Sequence, residues 1–310
     1  MDGLAPAILV HSQTGLKLAS GKALNDNELI RKLTGIPFAK MTGSGNDFIV
    51  FDSREVDGAL VTQPEAIRAI CNRYNGIGAD GVVLLEPNAH NTAAQIHYYN
   101  SDGSAADLCG NATLCSTAMA VDLALGSQNG LTLWTDAGLI NSRMKDGVPE
   151  IDFAPVQEIH TDTAAELKLG ERRIGYAVAG VPHAVVLVDN LEQVNLAVRG
   201  TELRHHEAFG AAGANVNFVT EGSGGTWRYR TYERGVEGET LACGTGSVAT
   251  AVLLNRWKLA QSPVNIRTSS GRILTVTLNG NSADADVRPS LKGEGRIVFR
   301  GNIQQISSLN

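Results

Sequence analysis

Two cysteines of this chain share a sequence context that can perform proton transfer. Cys109 begins Cys-Gly-Asn and Cys243 begins Cys-Gly-Thr, and each motif follows a polar run that contains glycine. An alanine-rich stretch that favours a helix follows each motif, at residues 118–125 and 248–257. At the N-terminus of a helix, unpaired backbone N–H groups and the helix dipole stabilise negative charge. We therefore predict that both thiols are activated towards the thiolate.

Two such thiols that face one carbon from opposite sides can invert its configuration. One thiolate takes the proton from one face while the other thiol donates a proton to the opposite face. An amino-acid α-proton is weakly acidic, so the carbanion needs stabilisation, which amides at two helix N-termini can give to the substrate carboxylate. These amides belong to Gly110, Asn111, Gly244 and Thr245. The chain shows neither a lysine motif nor a phosphate loop, so we predict that the reaction needs no cofactor.

The elements around the two motifs repeat along the chain. A strand leads into each cysteine motif, and a turn followed by a strand occurs near Asp47 and again near His183. The cysteines are 134 residues apart and the two turns are 136 apart. This spacing predicts an α/β (α+β) fold of two pseudo-symmetric duplicated domains, each a mixed β-sheet wrapped around a central helix, with the active site in the cleft between them.

The predicted division follows from this repeat. Residues 36–153 and 295–310 form the first domain, and residues 154–294 form the second. Residues 1–35 are an N-terminal extension of unknown role. Hydrophobic spacing predicts further helices at residues 25–33, 63–74 and 191–209, and the helix after Cys109 is predicted to end near Leu125.

Composition excludes several classes of protein. The 310 residues are 43% hydrophobic and carry a formal net charge of −6 without a Lys/Arg cluster, so we expect no nucleic-acid partner. No apolar run approaches the roughly 18 residues that cross a bilayer, so we expect no membrane partner. Four cysteines without a C-x-x-C pair predict neither a disulfide scaffold nor a metal site, and favour reduced thiols in the cytoplasm. Cys71 and Cys115 occupy apolar helical positions and are predicted to be core residues.

On these motifs the chain resembles the diaminopimelate epimerase family of cofactor-independent, two-cysteine amino-acid epimerases and racemases. The resemblance covers roughly residues 36–302. Its motifs are Lys40-Met-Thr-Gly-Ser-Gly-Asn-Asp-Phe48, Gly76-Ile-Gly-Ala-Asp-Gly81, Asn100-Ser-Asp-Gly-Ser104 with Cys109-Gly-Asn111, Gly180-Val-Pro-His183, and Tyr232-Glu-Arg-Gly with Cys243-Gly-Thr-Gly246.

The resemblance implies an assignment for each site residue. Cys109 and Cys243 are the acid–base pair, and the reacting carboxylate lies on the amides of residues 110–111 and 244–245. His183 and Glu233 tune the pKa values of the thiols. The distal end of the substrate is held by Asn46, Asn100, Asn215, Glu233 and Arg234. The implied reaction interconverts LL- and meso-2,6-diaminopimelate for lysine and peptidoglycan precursors, and the implied assembly is a homodimer.

Two substituted positions in the family pattern keep other functions open, and the run from Glu233 to Thr240 is also one residue longer than the commonest version. Val181 stands where members usually have Asn, and Leu114 stands where they usually have Arg. One alternative is a racemase of the same fold that acts on another amino acid. A second is a thiol hydrolase or transferase that uses one cysteine with His183, and a third is an amino-acid-binding protein without catalysis.

Overall fold

The computed structural model describes residues 25–87, 92–106, 108–279 and 287–307. The predicted extension therefore lies largely outside the described residues. Within them there are six α-helices: α1 (Asp26–Lys32), α2 (Gly58–Val61), α3 (Pro64–Cys71), α4 (Gly110–Asp122), α5 (Leu196–Arg204) and α6 (Gly244–Arg256). Three short 3-10 helices occupy Leu191–Gln193, Glu207–Phe209 and Ser223–Gly225. None of these helices is long and apolar enough to cross a membrane.

The described strands form one mixed sheet of 18 strands. They are β1 (Pro37–Gly43), β2 (Asn46–Asp52), β3 (Gly81–Pro87), β4 (Ala94–Asn100), β5 (Ala105–Ala106), β6 (Leu131–Thr135), β7 (Gly138–Lys145), β8 (Val148–Asp152), β9 (Gln157–His160), β10 (Glu171–Ala179), β11 (Val181–Val188), β12 (Asn215–Glu221), β13 (Thr226–Glu233), β14 (Gly238–Thr240), β15 (Val264–Arg267), β16 (Ile273–Asn279), β17 (Arg288–Lys292) and β18 (Arg296–Asn302).

The order of strand pairing reads the same way in two parts of the sheet. From β1 through β2, β3, β4, β6 and β7 to β8, the successive pairs are antiparallel, parallel, antiparallel, parallel, antiparallel and antiparallel. From β10 through β11, β12, β13, β15 and β16 to β17, the six pairs follow the same order. Strands β8 and β17 pair antiparallel, which joins the two parts into a single sheet.

The sheet edges and short strands also correspond. Strand β18 returns to pair with β1, and β9 pairs with β10. The short strands β5 and β14 pair with β4 and β13, and each leads into a long helix, α4 or α6. The fold is therefore a mixed α/β architecture in which the chain reaches α4 and α6 by the same local path.

Helices α4 and α6 are core helices. In both, residues on every face are buried, including Leu114 and Ala120 in α4 and Val248 and Leu254 in α6. Helices that are apolar all round are stable only when they are surrounded by protein. Alanine, glycine, serine and threonine make up most of both, so neighbouring strands can approach closely. The first turn of each helix is thereby held in a fixed position.

Helix α1 confirms the predicted helix at residues 25–33. Its N-cap Asn25 and Glu28 form a reciprocal capping box, which satisfies two backbone donors at the helix N-terminus. Leu29 and Leu33 are buried in the same core cluster as residues of α3. This part of the predicted extension therefore packs on the sheet.

The predicted helix at residues 63–74 is wrong at its C-terminal end, because α3 stops at Cys71. Asn72 leaves the helical conformation with ψ 124°, and its side-chain oxygen accepts hydrogen bonds from the amides of Tyr74 and Asn75. An asparagine that bonds to following amides competes with helix propagation. The helix at residues 110–122 ends close to the predicted Leu125.

The predicted helical stretch at residues 191–209 is broken into three pieces. Asn190, Asn195 and His206 each accept a bond from a downstream amide and start a new turn. Four strands escaped prediction, namely β5, β9, β14 and β17. They are two to five residues long and carry few β-branched or aromatic residues, so local sequence does not reveal them.

Candidate active site

Cys109 and Cys243 are the N-cap residues of α4 and α6. Their backbones are nearly identical, with φ −129° and ψ 115° at Cys109 and φ −131° and ψ 114° at Cys243. This extended conformation turns the chain from a short strand into a helix. None of the four cysteines forms a disulfide, and the predicted core positions of the buried Cys71 and Cys115 are confirmed.

The first turns of α4 and α6 meet at two glycines. A Cβ atom on Gly110 would lie 3.5 Å from Cα of Gly244, and a Cβ on Gly244 would lie 3.4 Å from Cα of Gly110. A side chain on Gly244 would also come within 3.1 Å of Leu291 Cδ2. Glycine therefore permits the two helix N-termini to abut. The amides of the two cysteine motifs are gathered in one place.

Burial changes the expected ionisation of the thiols. Burial raises the pKa of the Cys109 thiol from 9.0 to about 11, although the amides of Ala112 and Asn111 lower it in part. Burial raises the pKa of Cys243 well above its ordinary value, and the negative charge of Glu233 adds to this. The amides at the helix N-termini therefore offset the effect of burial on the two thiol pKa values only in part. Desolvation of a buried thiolate outweighs the bonds from the helix amides.

Glu233 lies against Cys243 at the end of β13. The carboxylate accepts a hydrogen bond from the Thr240 hydroxyl and bonds with the Cys243 thiol. Burial raises the pKa of Glu233. The Cys243 Sγ also lies 3.5 Å from Thr245 Oγ1. The structure thus brings one acidic and one hydroxyl group from the predicted set to Cys243.

His183 is buried on β11 and makes no hydrogen bond to either cysteine in the described part of the chain. Its Nδ1 lies 3.1 Å from the Asn217 side-chain amide, which as a donor leaves the ring proton on Nε2. Nε2 has no partner among the described residues. Burial, together with the positive charge of Arg234, lowers the pKa of His183 to about 3. His183 is therefore a neutral side chain.

Asn46 and Asn111 are joined directly. The side-chain amide Nδ2 of Asn111 donates to Asn46 Oδ1 at 2.6 Å, and Asn46 Nδ2 donates to Asp80 Oδ2 at 3.0 Å. Asn111 Oδ1 is buried without a partner among the described residues, which leaves one acceptor free at the start of α4. Two predicted site residues thus lie at the N-terminus of α4, and Asp80 holds one of them.

A cluster of charged side chains holds Asp80, the residue to which Asn46 donates. Arg73 bonds both Asp47 and Asp80, at 2.8 Å and 2.6 Å. The Lys40 ammonium lies 2.6 Å from Asp47 and also donates to a backbone carbonyl. Burial would raise the pKa of Asp47, but bonds from Arg73 and Lys40 outweigh it and lower the pKa from 3.8 to about 2.

The Asp47→Asn variant tests the contribution of this cluster to stability. Because the folded pKa of Asp47 lies below its unfolded value, the stabilisation is present above about pH 4 and is lost as pH falls towards 2. We expect the variant to be less stable than the parent by about 2 kcal/mol at pH 7. The difference should shrink between pH 4 and pH 2 in urea-unfolding curves. A difference that is constant with pH would contradict the assignment.

The remaining predicted residues lie at strand ends. Asn215 Oδ1 accepts from the backbone amide of Arg234 at 2.7 Å, and Asn215 pairs with His183 across β12 and β11. The Arg234 side chain is exposed, and its guanidinium bonds to no described residue. Asn100 ends β4, where its side chain bonds Ser104 Oγ at 3.0 Å. No bond among the described residues links Asn100 to the other site residues.

The two departures from the family pattern have different surroundings. Val181 starts β11 beside Gly180, whose added Cβ would lie 3.9 Å from the Thr245 methyl group. Val181 is therefore close to the first turn of α6. Leu114 is fully buried, in a core cluster with Ile151 and residues of the second half of the chain. The change at position 114 is thus a packing change.

Sequence reasoning missed several residues that contact the site. Tyr229 and Asn217 lie on β13 and β12, and their side chains touch Cys243 and His183. Alternation of apolar and basic residues along Trp227-Arg-Tyr-Arg-Thr231 is the signal that places Tyr229 on the inner face. The described residues contain no group of three or more side chains placed to bind a metal.

Solved structures share this arrangement of elements. A hydroxyproline epimerase from Agrobacterium vitis matches with a TM-score of 0.64 and 20% identity, over 87% of this chain and 93% of that one. A PhzF-family phenazine biosynthesis protein from Bacillus anthracis matches with a TM-score of 0.63 and 14% identity, over 88% of this chain and 98% of that one. At these identities the likeness defines the fold alone, which is the fold that epimerases share with the PhzF family.

Sequence comparison is more specific. The sequence model of diaminopimelate epimerase matches residues 38–157 and 175–288. The diaminopimelate epimerase of Gemmatimonas aurantiaca is 57% identical over 274 residues, which cover 86% of this chain and 98% of that protein. The enzyme of Aquifex aeolicus is 35% identical over 277 residues, with 86% and 98% covered. The chain belongs to the diaminopimelate epimerase family, which confirms the resemblance and makes it an isomerase.

Proposed function

We propose that the protein interconverts LL- and meso-2,6-diaminopimelate by proton transfer between two thiols and the substrate α-carbon. The observation that carries this proposal is the pair of cysteine N-caps, which have matching backbones on helices that abut at Gly110 and Gly244. One cysteine removes the α-proton and the other delivers a proton to the opposite face. Their roles exchange with the direction of the reaction.

The proposed architecture is a duplicated one, with the site in the cleft between two pseudo-symmetric domains. Residues 36–153 with 295–310 form one domain, and residues 154–294 form the other. The repeated order of strand pairing supports this division, as does the return of β18 to β1. Helix α1 packs with the first domain through Leu29 and Leu33. The antiparallel pair β8–β17 would lie on the pseudo-twofold axis.

The α-carboxylate of the substrate would lie on the amides of Gly110, Asn111, Gly244 and Thr245. Loss of the α-proton moves negative charge onto this carboxylate, and helix N-terminal amides stabilise that charge without rearranging. The close contact of the two helices supports the assignment, because it places both sets of amides within reach of one small group. The free Asn111 Oδ1 is an acceptor for the substrate α-ammonium.

Glu233 is the proposed acceptor of the Cys243 thiol proton. A buried thiol needs a nearby acceptor before it can act as a base, and the Glu233 carboxylate already bonds this thiol. Glu233 accepts the Cys243 proton, while the amide of Gly246 and the Thr245 hydroxyl stabilise the thiolate. His183, held neutral beside Asn217, contributes an uncharged N–H group to the same region.

The distal amino-acid group of the substrate would be held by Asn46, Asn100, Asn215, Glu233 and Arg234. Arg234 is the strongest member of this set, because its exposed guanidinium has no partner among the described residues and can bind a carboxylate bidentately. Asn215 fixes the Arg234 backbone through a 2.7 Å bond. The bonds of Glu233 to Thr240 and Cys243 favour its role at the thiol.

An assay in heavy water tests this function. LL-diaminopimelate should be converted to the meso form, with deuterium at the inverted α-carbon. Lysine and other amino acids with a single α-amino-acid group should react at least about 100-fold more slowly in kcat/KM, because they leave Arg234 unpaired. Turnover of another amino acid without turnover of diaminopimelate would favour the alternative racemase, for which Val181 near Thr245 is the motive.

The proposed assembly is a homodimer, as the resemblance implies. An exposed apolar pair on the edge strand β18, Val298 and Phe299, offers a surface for such contact. Sedimentation equilibrium that gives the mass of a single chain would contradict it. The mechanism also requires two reduced thiols, which supports the cytoplasm as the proposed compartment.

A further inference from the structure

Tyr229 makes an unusual contact with the backbone of Cys243. Its hydroxyl oxygen accepts a bond from the Cys243 amide at 2.7 Å, and its hydroxyl proton is donated to the Cys243 carbonyl at 2.9 Å. The Tyr229 side chain is almost completely buried on β13. The backbone N–H of an N-cap residue has no hydrogen-bond acceptor within the helix, so another group must provide one. A single hydroxyl thus binds both polar backbone groups of one catalytic cysteine.

Among the described residues, no side chain makes such a contact with the backbone of Cys109. Ile96 lies four residues before the end of β4, as Tyr229 lies four residues before the end of β13. Their strand partners correspond as well, because Ile96 pairs with Leu85 on β3 and Tyr229 pairs with Val219 on β12. The isoleucine has no hydroxyl to offer the backbone of Cys109. The two thiols therefore have matching backbones but unlike supports.

A cavity beside Cys109 accompanies this difference. It is small, and its lining includes Cys109, Ile96, Val83 and Thr135. The residue of β12 that corresponds to Val83 is Asn217, which is buried and bonded to Thr231 at 3.0 Å. Polar side chains that bond one another thus lie near Cys243, whereas the apolar side chains of Val83 and Ile96 line the small pocket beside Cys109.

We propose that Tyr229 is a positioning residue that fixes the backbone of Cys243 through its hydroxyl, whereas Cys109 has no equivalent restraint. The proposal rests on the proposed two-thiol function. A proton-transfer group must be held within a fraction of an ångström of its productive position, and small displacements cost large factors in rate. The Tyr229 hydroxyl restrains the residue from which the Cys243 thiol projects.

The Tyr229→Phe variant removes only the hydroxyl. We expect kcat/KM to fall by about tenfold or more, and by the same factor in both directions because the equilibrium constant is unchanged, with KM altered by less than about twofold. The iodoacetamide reaction rate of Cys243, followed by peptide mass spectrometry, should change by about threefold or more, and that of Cys109 should not. The control is Thr117→Val, which removes a buried hydroxyl of α4 that bonds only the Thr113 carbonyl. In the control, kcat/KM and the alkylation rate of Cys243 should both be unchanged.

One outcome for this variant and one for the unaltered protein would overturn the proposal. One is a Tyr229→Phe protein with a lower Tm but unchanged kcat and unchanged Cys243 alkylation, which makes the hydroxyl merely structural. The alkylation result does not depend on epimerase activity, so it separates a failure of this proposal from a failure of the proposed function.

A measurement on the unaltered protein covers the case in which the variant does not fold. The Cys243 amide should exchange with solvent at least about 100-fold more slowly than the amides of Gly244 and Thr245, which have no intrahelical acceptor. Equal exchange rates for these three amides would show that the Tyr229 bond does not persist in solution and would overturn the proposal.

Discussion

Replacement of either Cys109 or Cys243 by alanine is expected to abolish inversion, with a loss of about 10²–10⁴-fold or more in kcat. The reason is geometric, because the proton must leave one face of the α-carbon and a different proton must reach the other face. A variant with a single thiol lacks the base for one direction of the reaction and the acid for the other direction. The measurement is conversion of LL- to meso-diaminopimelate, followed with deuterium incorporation at the α-carbon.

The chain offers matched controls for these variants. Cys71 and Cys115 are buried thiols outside the two N-caps, and their alanine variants should keep kcat within about twofold despite a loss of packing. A single-cysteine hydrolase or transferase makes a different prediction, since only one of Cys109 and Cys243 would be essential. Full activity in either N-cap variant would rule out the two-thiol mechanism. An amino-acid-binding protein would incorporate no deuterium in any variant.

Alanine at Gly246 is expected to have the second-largest effect, a loss of about 100-fold in kcat/KM. A Cβ atom at this position would lie 2.3 Å from Asn217 Oδ1 and 3.3 Å from the Cys243 Cβ. Alanine favours a helix over glycine by roughly 1 kcal/mol, but overpacking of this kind costs about 1–3 kcal/mol. The clash therefore outweighs the gain in helix propensity.

Asn217 cannot move aside without breaking other bonds. It bonds His183 at 3.1 Å, the Ala184 carbonyl at 3.2 Å and Thr231 at 3.0 Å, and it is fully buried. The variant must instead displace the first turn of α6, whose Gly246 amide bonds the Cys243 thiol. The expected result is a shifted thiol, seen as lower kcat/KM and a lower Tm.

The first half of the chain indicates how to relieve this clash. Ala112 is the third residue after Cys109, as Gly246 is the third after Cys243, and the residue that corresponds to Asn217 is Val83. The Gly246→Ala change should lower Tm less in an Asn217→Ala background than in the parent, because the smaller side chain at position 217 makes room for the added Cβ. Gly130→Ala is the control, since no atom lies within 4 Å of its added Cβ. A Gly246→Ala variant as active as Gly130→Ala would contradict the assignment.

Local sequence was sufficient for the cysteine positions. A strand, a Cys-Gly pair and an alanine-rich stretch are consecutive in the chain, so local sequence indicates a helix shortly after Cys109 and another after Cys243. The burial of Cys71 and Cys115 follows from helical periodicity in the same way. The limits of α3 and α5 were less predictable, because side chains such as Asn72 and Asn195 bond nearby amides in competition with the helix.

The sequence by itself predicted which residues would carry the chemistry, since the two motifs and their repeat point to the thiols and the amides, and it was sufficient to identify the family. Only the tertiary structure revealed the burial that raises the pKa values of those thiols, because desolvation depends on residues far away in the chain. It also decided that Tyr229 and Asn217 stand behind Cys243 while Ile96 and Val83 stand behind Cys109. The two cysteines lie in similar sequence motifs. Their surroundings differ because α4 and α6 pack on strands that carry different inward-facing side chains.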